Sequence, residues 1–286
     1  MTVEQAVHRR ASGAAGALVG DYWGYRTAGA APAVHRGLPS PSLTLVLALD
    51  DALHVVAHPD PRQPGGRYDA LVGGLHTRPA LIAHHGRQAG VQIALSPLHA
   101  RALLGIPAGE LASLDVHGED LLGPRVPRLL ERLHEQTSWT RRFDVLDAAL
   151  ASWLLDVPGP PAEVAGAWDV LVARAGAVRV EALARHVGWS TRHLAKRFRA
   201  ETGLSVKEAA RVVRFDVARR ALQASPGARL SDLAAEHGFY DQAHLAREFR
   251  DLAGLPPSGW LKAEQIASVQ DAAVTSDHPV AHDLTH

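Results

Sequence analysis

Apolar residues fall along this chain in two rhythms. From about residue 21 to residue 122 they gather in short runs, at 43–49, 53–56, 80–83 and 91–95. Turn-forming clusters separate the runs, among them Pro39-Ser40-Pro41, Asp50-Asp51, Pro64-Gly65-Gly66 and Gly73-Gly74. Short strands at this spacing predict a small barrel or sandwich. Beyond Gly123-Pro124 the spacing lengthens to three and four. Val126, Leu129, Leu130 and Leu133 form one set, and after Thr137-Ser138 come Phe143, Leu146, Leu150, Trp153 and Leu154. Two amphipathic helices over about 124–156 follow, which either cap the strands or form a dimer interface. Pro158-Gly159-Pro160-Pro161 ends the second helix and marks a linker at 158–162.

From 163 to 262 helical patterns alternate with brief turns at Gly176, Gly188, Gly203, Ser225-Pro226-Gly227, Gly238 and Gly254. Residues 263–286 carry little apolar periodicity and are expected to be a disordered tail. The predicted fold class is therefore α+β in two domains. Residues 1–157 hold strands and a helical pair, and residues 163–262 are all helix.

Within the helical part, residues 180–204 reappear as 230–255 with one inserted residue. Leu183 pairs with Leu233, Gly188 with Gly238, His193 with His244, Leu194 with Leu245, Phe198 with Phe249 and Gly203 with Gly254. Each copy has the grammar of a helix-turn-helix: a short helix ending at glycine, a tight turn, and a second helix opened by a capping residue. Ser190 and Asp241 stand where a side-chain oxygen accepts from the first free N–H groups of that second helix. At 100° per residue, Thr191, Leu194 and Phe198 share the expected core arc of the first such helix, with Arg192, Lys196 and Arg199 opposite. In the second copy Leu245 and Phe249 mark the core, Ala243, Arg247 and Arg250 point away, and His244 sits at the margin. A single basic face is usually only a solvated one. Its recurrence at matched positions of two capped helices points to DNA, where arginine bridges guanine O6 and N7 and either cation neutralises phosphates.

Composition sharpens this picture. The 286 residues carry no formal net charge, with 30 basic and 30 acidic residues. Residues 166–262, however, hold 16 basic against 10 acidic residues, a surplus of six that the remainder cancels. A basic domain tethered to an acidic one meets polyanions through the former alone. The absence of cysteine removes disulfides, thiolate zinc sites, cysteine nucleophiles and any thiol that could accept an alkyl group. With no long apolar run and no signal-peptide block at the start, a cytoplasmic protein with no membrane contact is expected, nucleoid-associated when bound to DNA.

These residues resemble the DNA-binding domain of the AraC/XylS family of bacterial transcription regulators, in which one long helix joins two helix-turn-helix units. The likeness covers about a hundred residues and is densest at Gly238-Phe239-Tyr240-Asp241-Gln242-Ala243-His244-Leu245-Ala246-Arg247-Glu248-Phe249-Arg250, followed by Gly254-Leu255-Pro256-Pro257. It implies a linking helix at 206–224 and two recognition helices in successive major-groove segments, about 34 Å apart. Carried over by position, base contacts fall at Arg192, Ala195 and Lys196, and at Gln242, Ala243, His244 and Arg247. With the helix starts and flanking cations, the implied DNA-binding set is Ser190, Thr191, Arg192, Ala195, Lys196, Arg199, Asp241, Gln242, Ala243, His244, Arg247 and Arg250.

The order of parts further implies a cupin-like barrel and a helical pair before that domain, serving effector binding and dimerisation. Trp23, Tyr25, Arg26 and His35 near the first strands are the candidate effector-lining residues. Histidines are abundant among the strands, but no His-x-His pair anchors a metal, and neither a metal nor another cofactor is expected. No histidine-carboxylate cluster, GxSxG elbow or P-loop indicates an enzyme. The resulting expectation is an effector-responsive activator with promoter DNA, RNA polymerase, a small-molecule effector and a second copy of the chain as partners. A DNA-binding dimer that senses nothing, or a cupin-like enzyme fused to a DNA-binding module, stand as alternatives.

Overall fold

The computed structural model describes residues 3–267. Its first part contains β1 (Val3–Arg10), β2 (Val19–Ala28), β3 (Ala33–Gly37), β4 (Leu43–Ala48), β5 (Leu53–Ala57), β6 (Gly66–Tyr68), β7 (Ala70–Gly73), β8 (Ala80–His84), β9 (Arg87–Leu95) and β10 (Asp115–His117). One sheet runs β1-β2-β9-β4-β7-β10 and a second runs β3-β8-β5-β6. Both keep open edges, so the region is a pair of facing antiparallel sheets and not a closed barrel. Short connections such as 38–42 and 49–52 hand the chain from one sheet to the other.

Strand structure begins at Val3, well before the expected start near residue 21. The β1 sequence is mostly polar and carries little alternation, as suits an edge strand. What holds it is an unbroken register with β2, from Val3 opposite Ala28 to Arg10 opposite Asp21. A tertiary tie reinforces that register. Asp147 receives Arg9 Nη2 at 2.5 Å, the Ser12 hydroxyl at 2.5 Å and the Tyr22 hydroxyl at 2.8 Å.

Alternation along β4 divides the interior in two. Leu43, Leu45 and Leu47 join Val91, Ile93 and Leu95 of β9 in the main core. That core is covered by α1 (Ala100–Leu104), α2 (Gly118–Leu122), α3 (Arg125–Glu135) and α4 (Trp139–Ser152), through Leu129, Leu133, Phe143, Leu146 and Leu150. The helical pair spends its apolar face capping the sheet. On the other side of β4, Val46 belongs to a separate, smaller cluster with Leu53, Val55, Tyr68, Leu71, Ala80 and Ile82 between the two sheets.

The second part is helical: α5 (Ala162–Ala173), α6 (Val180–His186), α7 (Thr191–Thr202), α8 (Val206–Ala224), α9 (Leu230–Glu236), α10 (Gln242–Ala253) and α11 (Pro257–Ala267). Residues 263–267, placed in the expected tail, continue α11, and residues 268–286 lie outside the described residues. The capping box at Ser205 and Glu208 sets the start of α8 by satisfying two backbone donors reciprocally. Trp168 stacks on Phe198 in the first helix-turn-helix unit, and Phe249 packs against Phe215 and Trp260 in the second. Arg211 of α8 binds Glu248 and Asp251 of α10, fixing the second unit to the linking helix.

The β region meets the helical region at the far ends of α7 and α10. A 3-10 turn at Ala108–Leu111 approaches so closely that a Cβ on Gly109 would lie 2.3 Å from the Ala200 carbonyl oxygen, and one on Gly203 would lie 2.5 Å from the Ala112 Cβ. Arg101 Nη2 pairs with Glu201 Oε2 at 2.9 Å beside this seam. Gly254, which ends α10 in the left-handed conformation, faces Pro79 and Arg36.

Candidate nucleic-acid interface and interior cavity

Ser190 caps α7 and Asp241 caps α10, accepting from the backbone N–H groups of His193 and His244 respectively. The first turn of each helix is thereby held open toward solvent. Leu194, Phe198, Leu245 and Phe249 are buried as expected. Thr191 is exposed, off the core arc assigned to it, because the arc narrows at the helix start where no facing element covers the first turn.

On α7, Arg192, Ala195, Lys196 and Arg199 are all exposed, together with the capping Ser190. Arg199 is not a free cation, since its Nη2 lies 2.8 Å from Glu208 Oε2. Against the opposing effect of burial, the Ser205 N–H and hydroxyl and the Arg199 guanidinium hold the Glu208 carboxyl below its ordinary range. On α10, Asp241, Gln242, Ala243, Arg247 and Arg250 are exposed and His244 is half-buried. His244 Nδ1 accepts from the Tyr240 backbone N–H at 3.2 Å, and its ring packs edge-on against Phe239. Sequence reasoning passed over Tyr240. It is 92% exposed in the turn just before Asp241, and a large aromatic beside a capped basic helix was the available signal.

The docks on the β region occupy the C-terminal ends of α7 and α10 and leave their N-terminal halves uncovered. The 19-residue α8 between the two units spans roughly 28 Å at 1.5 Å per residue. Two capped helices with matched cations are thus carried on one rigid spacer of nearly a duplex turn.

A second feature lies between the sheets, where a cavity of about 110 Å³ is bounded by Val46, Val55, Leu71 and Ile82 and by the polar residues His35, Arg36, Thr44, His76, Gln92 and Asp115. One wall residue, Arg219, comes from α8. The buried Asp115 accepts from His58 Nδ1 at 2.6 Å if that nitrogen carries the proton, and the Tyr68 hydroxyl lies 3.2 Å from His58 Nε2. Burial in this wall keeps the His76 imidazole below its usual range, against the pull of its Arg78 carbonyl contact and Asp115. Of the four residues expected to line an effector pocket, His35 borders this cavity. Tyr25 borders a smaller pocket elsewhere, Trp23 packs on His8, and Arg26 is exposed. Among the described residues, no group of three or more histidines and carboxylates could hold a metal ion.

The family model for a helix-turn-helix domain matches residues 183–263. The C-terminal domain is an AraC-type helix-turn-helix domain. Domains of this kind bind DNA in transcription regulators. Residues 16–117 match a domain of unknown function, DUF6597. Among solved structures, ToxT from Vibrio cholerae O395 is 11% identical with a TM-score of 0.51, over 87% of this chain and 98% of that one. ToxT from Vibrio cholerae strain SCE256 with an unsaturated fatty acid bound is 9% identical with a TM-score of 0.52, over 92% and 95%. The likeness is one of fold, a β-rich region followed by an AraC-type helical domain. The search of curated proteins found no match. No helix among the described residues is long and apolar enough to cross a membrane.

Proposed function

We propose that this chain is a cytoplasmic, effector-responsive transcription activator. It sets the N-terminal halves of α7 and α10 into successive major-groove segments on one face of promoter DNA. Residues 163–262 form the DNA-binding domain and residues 1–157 the effector-binding and dimerisation domain. The observation that carries this reading is the pair of capped helices with matched exposed cations, Arg192 and Lys196 on one and Arg247 and Arg250 on the other, at the two ends of α8. Arg192, Lys196, Gln242 and Arg247 do most of the base reading, because Ala195 and Ala243 offer only apolar contact, suited to a thymine methyl. Tyr240 adds a contact at the edge of the second segment. The fold shared with ToxT, which has been solved with an unsaturated fatty acid bound, supports placing the effector in the β region.

The test is selection of genomic DNA fragments by the full chain, followed by a salt titration on what stays bound. The expected result is a motif with two half-elements about one helical turn apart and a log affinity that falls steeply with log salt. Weak binding without sequence preference would overturn the reading.

A further inference from the structure

The two helix-turn-helix units superpose bond by bond at their turns. The Trp189 N–H donates to the Ala184 carbonyl and the Phe239 N–H to the Ala234 carbonyl, each at 2.9 Å. Both rings then meet a histidine of the following helix edge-on, Trp189 against His193 and Phe239 against His244. The caps break the match: Ser190 follows Trp189 directly, whereas Asp241 stands two places after Phe239. Tyr240 is therefore the residue inserted into the second copy. Its side chain is 92% exposed, so folding gains almost nothing from burying it. Its backbone, in contrast, is braced. His244 Nδ1 accepts from the Tyr240 N–H at 3.2 Å, and Arg214 of α8 donates from Nη1 to the Gly238 carbonyl at 3.4 Å, with its guanidinium over the Phe239 ring. Asp241, next along the chain, has its carboxylate on the His244 N–H. A bare phenol on a braced turn suits contact with a partner outside the chain.

Its place in the fold names that partner. In a helix-turn-helix the first helix crosses the sugar-phosphate backbone and the start of the second meets base edges. Tyr240 lies between α9 and α10, ahead of the cap, and so stands at the rim of the groove. We propose that the Tyr240 hydroxyl donates to a backbone phosphate flanking the second major-groove segment, and that His244 is the positioning residue that holds it there. Tyrosine is among the donors that proteins use on phosphate oxygens. His244, expected from the sequence to contact a base, is engaged on both sides of its ring. With Nδ1 accepting an N–H, the neutral ring carries its proton on Nε2, and Nε2 faces Glu248 Oε1 at 3.8 Å. The first unit, without the inserted residue, lacks this contact, so the two units grip the duplex unequally. The inference deepens the function proposed above and rests on it for the duplex as partner.

The test measures binding of the full chain, by fluorescence anisotropy, to a DNA fragment that it selects and to the same fragment with the motif scrambled. Tyr240→Phe removes only the hydroxyl and should weaken binding to both fragments about tenfold, with Tm unchanged. The selected motif should stay the same, and so should the slope of log affinity against log salt, because a neutral donor displaces no counterion. Single methylphosphonate linkages moved along the second half-element should reveal one position whose cost is about tenfold smaller in Tyr240→Phe than in the unaltered chain, the signature of a direct pair. His244→Ala should keep the selected motif, weaken binding several-fold, and add little to the loss in the Tyr240→Phe background. Unchanged affinity in both Tyr240→Phe and Tyr240→Ala overturns the contact and leaves the regulator reading standing. A changed base preference in Tyr240→Phe, or no methylphosphonate position that couples to it, overturns the assignment to phosphate. A changed base preference in His244→Ala, or a loss that adds fully to that of Tyr240→Phe, overturns the positioning role. Equal binding to both fragments with a loss in Tyr240→Phe supports the contact and overturns the regulator reading instead, and no DNA binding at all overturns both.

Discussion

The helical region and the space between the sheets solve opposite problems. Around α8, α10 and α11 the rings of Phe215, Phe249 and Trp260 are fully buried, with Phe249 packed against both of the others, and Arg211 pairs with Glu248. Between the sheets, His35, His58 and Asp115 are buried beside a cavity that no side chain fills. One region is built to hold two helices in fixed register, and the other is built to leave room. The proposed function assigns DNA reading to the first and effector binding to the second.

Core substitutions break this contrast most strongly. Phe249→Ala should cost about 3–5 kcal/mol of stability in chemical denaturation followed by circular dichroism, because the close packing cannot collapse around the loss. Enlarging a valine should have opposite signs in the two regions. Val213→Leu on α8 overpacks its site and costs about 1–3 kcal/mol, whereas Val46→Leu fills part of the cavity and stabilises by about 0.5–1 kcal/mol. Equal destabilisation by both would mean that the inter-sheet space is as tightly packed as the helical core.

On the DNA side the next effect is at Arg247. Arg247→Ala should reduce discrimination at one base pair by about 1–3 kcal/mol. Lys196→Ala should weaken binding across sequences and lower the salt slope by about 0.9 if the ammonium meets a phosphate. Removing a cap, by Ser190→Ala or Asp241→Ala, should cost about 1 kcal/mol each, read in the same denaturation assay.

The repeat made the helical region readable. Matched leucines, phenylalanines and glycines fixed the faces of α7 and α10, Ser190 and Asp241 marked their starts, and the expected linking helix at 206–224 has the bounds observed. What the pattern could not show is that α8 is buried on more than one side. Asp216 and Arg219 are buried on it as an ion pair, and Arg219 reaches the cavity wall. The β region was less readable for a related reason. Its strands alternate, but Gln92, Asp115 and Thr44 point into a shared polar interior, which in sequence looks the same as pointing to solvent. The polar edge strand β1 gave no signal, since its place depends on pairing with β2 and on Asp147 far along the chain.

The smallest effect separates the regions by pH. Burial holds His84 below its usual range, helped by His85, and its Nδ1 accepts from the Gly86 N–H, a bond that protonation would break. His76 is depressed mainly by burial. Both fold as neutral rings, so the unfolded chain takes up more protons below about pH 6.5, and stability should fall as pH drops through that value. In His84→Gln the fall should be shallower, as measured by Tm on either side of pH 6.5.

The most direct test of the central claim is hydroxyl-radical footprinting of the full chain on a selected DNA fragment. Two protected patches on one face of the duplex, separated by about 10 base pairs, are the predicted result. A single patch, or uniform protection with no periodicity, would contradict a reader built from α7 and α10 on a common spacer.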